Sequence, residues 1–316
     1  MQKDLICLTG VTGSGKSQVA IELSKLFPIE VVSMDSAMVY RGLDIGTAKP
    51  TKLELKAVPH HLVDIIEPTD SYSVGQFLQG LTRSVELITH KKKIPLIVGG
   101  TLMYLHAIYR GLASLPKGTA EVRKVIEQIA IDCGWDTLYD FLYFIDADIA
   151  QKIKPSDHQR IERMLEIFLI QKEKPSLLLG ENINYFKDFN IKTVALVRED
   201  KEVHYHLIKN RIGSMIEQGL IDEVVKLKET YSLNSDHLAM KLIGYKQVNE
   251  YLEGKYSLDD TKKLILNATN QFTKRQMTWI RKFSFIDFET SSKALAKSKL
   301  INFLSDAQTN NSYDRI

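Results

Sequence analysis

Eight residues near the start of the chain carry the clearest chemistry: Gly10-Val11-Thr12-Gly13-Ser14-Gly15-Lys16-Ser17. Glycines at these spacings let backbone N–H groups turn inward around an anion. The helix that such a loop opens adds its positive dipole end, Lys16 adds a charge, and Ser17 offers a hydroxyl to Mg²⁺. The loop follows an apolar run, Leu5-Ile6-Cys7-Leu8, that reads as a buried strand. It precedes an amphipathic helix expected to set Val19, Leu23 and Leu26 or Phe27 on one face. Strand, loop and helix in this order bind a di- or triphosphate; a ligand-free glycine turn is the bland alternative.

Further candidates stand at the ends of other predicted elements. Asp35 follows a predicted strand, Glu30-Val31-Val32-Ser33-Met34, at the sheet edge where ligands of open parallel sheets bind. Position alone leaves it two readings: a carboxylate that accepts a proton or holds Mg²⁺, or a cap on the next helix, a part Ser36 could equally take. Thr101 follows Gly99-Gly100 at the end of the strand expected over 94–98; on local grounds it is a helix N-cap, which does not exclude a ligand contact. Arg211 borders the apolar face of a helix carrying Ile208, Ile212, Met215 and Ile216, so its guanidinium needs a partner, either a carboxylate or a bound phosphate. Gln159-Arg160-Ile161-Glu162-Arg163 opens a helix and reads as a solvated charged face, and His60-His61 lacks a third ligand at metal spacing. No aspartate closes the 94–98 strand, unlike many nucleotide hydrolases, which suggests a bound diphosphate that departs rather than one that donates phosphate.

The elements that must position these residues alternate strand and helix over the first hundred residues, which predicts a parallel sheet with crossover helices. A third strand is expected at His61-Leu62-Val63-Asp64-Ile65, and Phe77, Leu81, Val85 and Ile88 mark a helix face. From Glu121 to about Leu179 the pattern turns helical and charged, broken at Gly134, Pro155 and Pro175; a buried strand returns at Thr193-Val194-Ala195-Leu196-Val197. The predicted organisation is an α/β core over 1–115 and 190–316 around a helical insertion at 116–189, with the last dozen residues poorly ordered. The 316 residues, 44% hydrophobic and 26% charged, suit a globular chain, and no apolar run is long enough to span a bilayer. The start shows no signal-peptide pattern, and Cys7 and Cys133 make no disulfide framework, which points to a reducing cytoplasm. Net charge is only +3, yet residues 261–286 contain no acid while holding Lys262, Lys263, Lys274, Arg275, Arg281 and Lys282. Phe272, Trp279 and Phe283 interleave with them; a basic helix side of this kind meets RNA phosphates, or else is merely wet.

Taken together these motifs resemble the tRNA dimethylallyltransferases (tRNA isopentenyltransferases) over nearly the whole chain. The resemblance rests on the loop, then Asp35-Ser36-Ala37-Met38-Val39-Tyr40-Arg41-Gly42-Leu43-Asp44-Ile45-Gly46-Thr47-Ala48-Lys49-Pro50 and Pro59-His60-His61-Leu62-Val63-Asp64. It continues through Val98-Gly99-Gly100-Thr101-Leu102-Met103-Tyr104 and Asp157-His158-Gln159-Arg160-Ile161-Glu162-Arg163. Gly219-Leu220-Ile221-Asp222-Glu223-Val224, Gly244-Tyr245-Lys246-Gln247 and Lys274-Arg275-Gln276-Met277-Thr278-Trp279-Ile280-Arg281 complete it.

The resemblance implies a P-loop, nucleotide-kinase-like α/β core with a helical insertion. It implies transfer of a dimethylallyl group from its diphosphate to N6 of the adenine 3′-adjacent to the anticodon, with Mg²⁺ as cofactor and the tRNA anticodon stem-loop as partner. By the same resemblance Asp35 is the general base, Thr101 contacts the donor or the leaving oxygen, Lys16 and Arg211 neutralise the pyrophosphate cradled by residues 10–17, and Ser17 serves the metal. The tRNA contacts it implies are Asp35, Ser36, Ala37, Met38, Thr101, Arg123, Gln159, Arg160, Ile161, Glu162, Arg163, Lys241, Gly244, Tyr245, Lys246, Lys274, Arg275, Gln276, Trp279 and Arg281. The family loop usually reads Gly-Pro-Thr-Ala-Ser-Gly-Lys, so Val11 and Gly13 depart from it, as does Leu207, where Arg is frequent. Leu102-Met103 reverses the usual order, and Lys246 stands where Arg is common. The expected chain is a monomer that binds no membrane. Rival readings are a small-molecule kinase using ATP, a prenyltransferase acting on free adenine nucleotides, and a non-catalytic RNA-binding P-loop protein.

Overall fold

Continuous apolar runs rather than alternating ones build the sheet, because its strands are buried on both faces. In the computed structural model, which describes residues 3–113, 115–179, 182–198 and 200–309, the strands are β1 (Lys3–Gly10), β2 (Ile29–Ser33), β3 (His60–His61), β4 (Ile94–Val98), β5 (Leu112–Ala113), β6 (Asn182–Ile183), β7 (Phe189–Leu196) and β8 (Phe288–Thr290). Contacts divide the chain into two compact units, Met1–Tyr109 with Phe186–Ile316, and Arg110–Tyr185. These edges differ by a few residues from 116–189.

The first unit holds a six-stranded sheet in the order β3-β2-β4-β1-β7-β8, with every pair parallel. Alternate residues of each strand face opposite layers. Leu5, Cys7, Val32 and Ile97 pack with helices Val74–His90 and Leu102–Arg110 and with Met277 and Ile280 of helix Leu258–Lys282. Ile6, Leu8, Leu96 and Val194 pack on the other side, against Val19 and Leu23 of helix Lys16–Ser24 and Leu300 and Leu304 of helix Lys293–Thr309. Phe27, not Leu26, joins that layer; Leu26 is exposed. Burial pushes the Cys7 thiol up to about 12, so it behaves as a core residue. A third cluster, including Ile208, Ile212, Val224, Tyr245 and Ile265, unites the helices that follow Lys201.

Three expectations change. The strand expected over 61–65 stops at His61, because Leu62 and Asp64 take φ of +62° and +55°. The chain there bonds instead to the segment after β2, through Asp64 N–H to the Met38 carbonyl and Ile65 N–H to the Val39 carbonyl. Strand β8, unforeseen, forms on the edge beside β7. The helix Lys293–Thr309 runs into the stretch expected to be poorly ordered, of which residues 310–316 lie outside those described. The two histidines are satisfied locally, His60 on the Val58 carbonyl and His61 on Glu30, each at 2.7 Å.

The Arg110–Tyr185 unit has its own core, drawn from Ile126, Leu138, Leu142, Ile149, Ile161 and Leu165. Its main helices are Ala120–Cys133, Trp135–Ile145 and His158–Gln171, with β5 and β6 pairing antiparallel. Pro175 opens a short helix, Pro175–Leu178, rather than breaking one, since its fixed φ suits a first helical position. Among the described residues of the chain, no helix is long and apolar enough to cross a membrane.

Candidate active site

Parallel strands deliver their following loops to one edge of the sheet, so the segments after β1, β2 and β4 converge. After β1, the chain turns through residues 11–15 into helix Lys16–Ser24. Gly13 holds φ +75°, and a Cβ there would lie 2.7 Å from Cδ1 of Ile208 and 3.2 Å from Cδ2 of Leu207. The smaller residue at 13 therefore accommodates the apolar pair on helix Lys201–Glu217. Lys16 Nζ folds back over the loop and donates to the carbonyls of Gly10 at 3.0 Å and Val11 at 2.7 Å. Burial pushes this ammonium down to about 8; nearby Asp35 resists the shift and Arg211 adds to it.

After β2, Asp35 does not cap a helix. Its Oδ1 accepts from the backbone N–H groups of Ala37 at 2.8 Å and Met38 at 3.4 Å, closing a turn, and the next helix begins only at Lys52. After β4, Thr101 stands just before helix Leu102–Arg110, its carbonyl accepting from Tyr104 N–H at 2.9 Å, and its hydroxyl turns outward. That hydroxyl accepts from Ser36 N–H at 3.0 Å, tying the two strand-end loops together. Arg211 reaches the same place from helix Lys201–Glu217. Burial lowers its pKa while Asp35 opposes that, and no hydrogen bond or ion pair to a described residue holds the guanidinium.

Two adjoining cavities, of about 350 and about 310 Å³, share Thr12, Lys16, Asp35, Thr47 and Arg211. The smaller lies against the loop, with Gly13, Gly15 and Ser17 in its wall. The larger has an apolar wall that includes Ile208, Ile212, Met215, Leu242, Ile265 and Phe272. Thr101, Ser36, Ala37, Lys241, Gly244 and Arg275 also border the larger one.

Several positions expected to touch RNA have other surroundings. Ile161 is fully buried in the core of the 110–185 unit and cannot meet a polar partner. Tyr245 is likewise buried, its hydroxyl donating to Glu223 at 2.6 Å. Gln276, 3% exposed, bonds the Thr12 N–H and the Gly100 carbonyl. Arg163 donates to Glu166 at 2.8 Å and to the Pro116 carbonyl at 2.7 Å, and Arg123 also holds Glu166, at 2.5 Å. Gln159 and Arg160 are exposed, Arg160 beside Asp157 at 3.3 Å. On helix Leu258–Lys282 the basic tract divides: Lys262 and Lys263 pair with Asp259 and Asp260, whereas Lys274 and Arg281 are exposed further along, with Trp279 between them.

Glu223 was not singled out from the sequence. Its carboxylate accepts from the N–H groups of Asp44, Ile45 and Gly46, at 3.1, 2.8 and 3.3 Å, and from Tyr245. It thus holds the loop that brings Gly46 and Thr47 to the larger cavity. An acid in the first turn of helix Leu220–Tyr231 reads as a dipole partner, which conceals this role.

A parallel sheet with a glycine loop after its first strand, and cations gathered at that strand's carboxyl end, defines an α/β protein built for a phosphorylated ligand. A profile of the IPP transferase family matches residues 38–283, and the chain belongs to that family of transferase enzymes. It is 39% identical over 293 residues to the tRNA dimethylallyltransferase of Nitrosomonas europaea, covering 92% of both chains. With that of Neisseria meningitidis serogroup C it shares 41% identity over 276 residues, 87% of this chain and 88% of the relative. Among solved structures it is similar to the tRNA isopentenylpyrophosphate transferase of Bacillus halodurans, with TM-score 0.69, 31% identity and 98% of each chain covered. A eukaryotic dimethylallyltransferase acting on tRNA gives TM-score 0.79 at 28% identity, over 96% of this chain and 80% of that one.

Proposed function

We propose that this chain is a tRNA dimethylallyltransferase that moves the dimethylallyl group from its diphosphate to N6 of the adenine 3′-adjacent to the anticodon. The observation that carries the reading is the pair of adjoining cavities: one against the phosphate loop and one beyond it walled by Ile208, Ile212, Leu242, Ile265 and Phe272, with Lys16, Asp35 and Arg211 common to both. The loop and the two cations suit the diphosphate, and the apolar wall suits five prenyl carbons. In the reaction N6 attacks C1 of the prenyl group, a C–N bond forms as the C–O bond breaks, pyrophosphate leaves, and the amine proton passes to a base. Asp35 is the carboxylate in reach. An amine conjugated to a purine is a weak nucleophile, so removing its proton as the bond forms lowers the barrier. Lys16 and Arg211 face the charge that builds on the departing oxygens, in a partly water-excluded site. Thr101, bonded to Ser36, is suited to the donor's leaving oxygen.

For Mg²⁺ the Ser17 hydroxyl in the wall of the cavity at the loop fits, Asp35 being kept for the amine proton, and among the described residues no cluster of three acidic, cysteine or histidine side chains competes as a cage. Mg²⁺ held largely by water and phosphate oxygens matches so few protein ligands. Bound there, it would neutralise charge on the pyrophosphate. Exposed Lys274, Arg275, Trp279 and Arg281 offer phosphate and base-stacking contacts to the tRNA, with Lys241 and Lys246 beside them in the reading. The target base leaves its stack to reach Asp35. The reading takes the chain to act as a monomer, and free Cys7 and Cys133 suit the cytoplasm.

The test incubates the protein with dimethylallyl diphosphate, Mg²⁺ and unmodified tRNA, then weighs the digested nucleosides. A prenylated adenosine is expected with tRNA and none with AMP. Product with AMP alone, or ATP consumed to phosphorylate a small molecule, would overturn the reading.

A further inference from the structure

The Thr12 peptide of the phosphate loop is gripped from both sides by side chains remote in sequence. Its N–H donates to Oε1 of Gln276 at 2.9 Å, and its carbonyl accepts from Nε2 of His204 at 2.9 Å. Gln276 completes a bridge by donating Nε2–H to the Gly100 carbonyl at 2.9 Å. A Cβ on Gly100 would lie 2.7 Å from that nitrogen, so only glycine lets the amide approach. Both side chains are buried, and they come from different helices, Leu258–Lys282 and Lys201–Glu217. The bond to a carbonyl requires hydrogen on Nε2 of His204. Burial lowers the pKa of this imidazole, the Thr12 carbonyl opposes the shift, and Arg198 and Lys16 reinforce it. Burial thus favours the neutral ring, and its Nδ1 is buried without a hydrogen-bond partner among the described residues. An unpaired buried nitrogen is a cost, tolerated where the bond on the other side of the ring is needed.

We propose that Gln276 and His204 are positioning residues: together they fix the Thr12 peptide at a set distance from the Gly99-Gly100-Thr101 turn, so that the phosphate loop and Thr101 present one preformed frame to the diphosphate. This rests on the diphosphate site proposed above. The loop's other restraints miss this peptide: Lys16 Nζ holds the Gly10 and Val11 carbonyls, Val11 N–H bonds the Leu196 carbonyl at 3.2 Å, and Ser14 N–H reaches the Val11 carbonyl at 3.3 Å. Preformed donors act without reorganising as charge develops, so a frame held from outside the loop bears directly on the leaving group. Gln276 also borders the larger cavity, so this inner role stands beside the RNA contact expected of it.

Calorimetry with inorganic pyrophosphate and Mg²⁺ tests the frame without turnover, and steady-state rates with dimethylallyl diphosphate and tRNA test it in catalysis. Gln276→Leu removes both bonds of the bridge. It is expected to weaken pyrophosphate binding and raise KM for the prenyl donor by about tenfold, leaving KM for tRNA within about twofold. His204→Leu is expected to act in the same direction, and His204→Gln, which keeps an N–H donor, to recover most of the affinity. His204→Leu also keeps the test open should Gln276→Leu fail to fold. Folded leucine variants with unchanged pyrophosphate affinity would overturn the proposal, as would equal losses for pyrophosphate and tRNA, or a His204→Gln no better than His204→Leu. If the unaltered protein prenylates nothing while pyrophosphate binding still depends on these two residues, the functional reading fails and the frame stands.

Discussion

Lys16 and Arg211 in the sheet-containing unit, and Arg123 and Arg163 in the 110–185 unit, are all cations from motifs expected to meet anions. Their surroundings differ. Lys16 rests on two carbonyls, Arg211 has no hydrogen-bonded partner among the described residues, and burial lowers the pKa of each. Arg123 and Arg163 converge on one acid, Glu166, whose side chain is 1% exposed. Two burdened cations around one carboxylate leave positive charge to spare; two arginines sharing one carboxylate, each open to water on its far side, are close to satisfied. The first pattern marks a place for an anionic ligand and the second marks architecture. Arg163 has both terminal nitrogens engaged, whereas Arg123 holds Glu166 through Nε and is half exposed, which leaves it a face for a phosphate.

The contrast breaks most sharply at Asp35. Replacing it with alanine should slow prenyl transfer by about 10²–10⁴-fold, the range for a lost general base, while tRNA affinity changes little. Single-turnover rates at saturating donor read the chemical step directly, and an unchanged rate would remove Asp35 from the mechanism. In the other unit, Glu166→Gln should act on stability rather than chemistry. The arginine side chains are 49% and 32% exposed and regain water, so the cost falls below that of a wholly buried pair, at about 1–3 kcal/mol. Hydrogen exchange of helices Ala120–Cys133 and His158–Gln171 should report it; undiminished protection there would mean that the cluster is not architectural.

How far the sequence foretold these regions depended on whether a signal was local. Strands β1, β2 and β4 stood out as unbroken apolar runs, and Lys16, Asp35, Thr101 and Arg211 as parts of motifs; the structure brings Lys16, Asp35, Thr101 and Arg211 around one cavity. Strand β8 is three residues without alternation and exists because β7 offers an edge. The true end of β3 depends on backbone bonds to residues 38 and 39. A motif gives residue types but not which side of a helix is buried, so Ile161, Tyr245 and Gln276 were grouped with exposed neighbours. Glu223 and His204 bond groups about 180 and 192 positions away in the chain, beyond any local pattern.

Lys274 and Arg281 extend the contrast to RNA. Exposed and without an ion pair among the described residues, they resemble Lys16 in lacking a bonded carboxylate, but water already solvates them. Their contribution should be purely electrostatic. Changing both to alanine should reduce the slope of log affinity against log salt by about 0.7–0.9 per lost contact. Binding titrations between low and physiological salt measure this, and a slope equal to that of the unaltered protein would exclude phosphate contacts at these positions.

The finest distinction concerns Lys16 and pH. Its pKa of about 8 in the folded protein, set first by burial, puts its charge within reach of ordinary buffers. Below that value the ammonium is present for the diphosphate; above it the proton leaves, so kcat/KM for the donor should fall as pH rises through about 8. That ratio reports the free enzyme, whereas kcat reports the complex, in which the bound diphosphate holds the proton on; the kcat limb should lie at higher pH. Stability should move the opposite way. The unfolded chain keeps the proton up to the ordinary lysine value near 10.5, so between about 8 and 10.5 it binds more protons than the folded one, and raising pH through that window relieves a folding cost. Lys16→Arg separates the two effects, because arginine stays charged throughout. Its residual activity should lack the alkaline fall in kcat/KM. A limb that persists in the arginine variant belongs to another group, and Lys16 then differs from Arg163 in its surroundings but not in its titration.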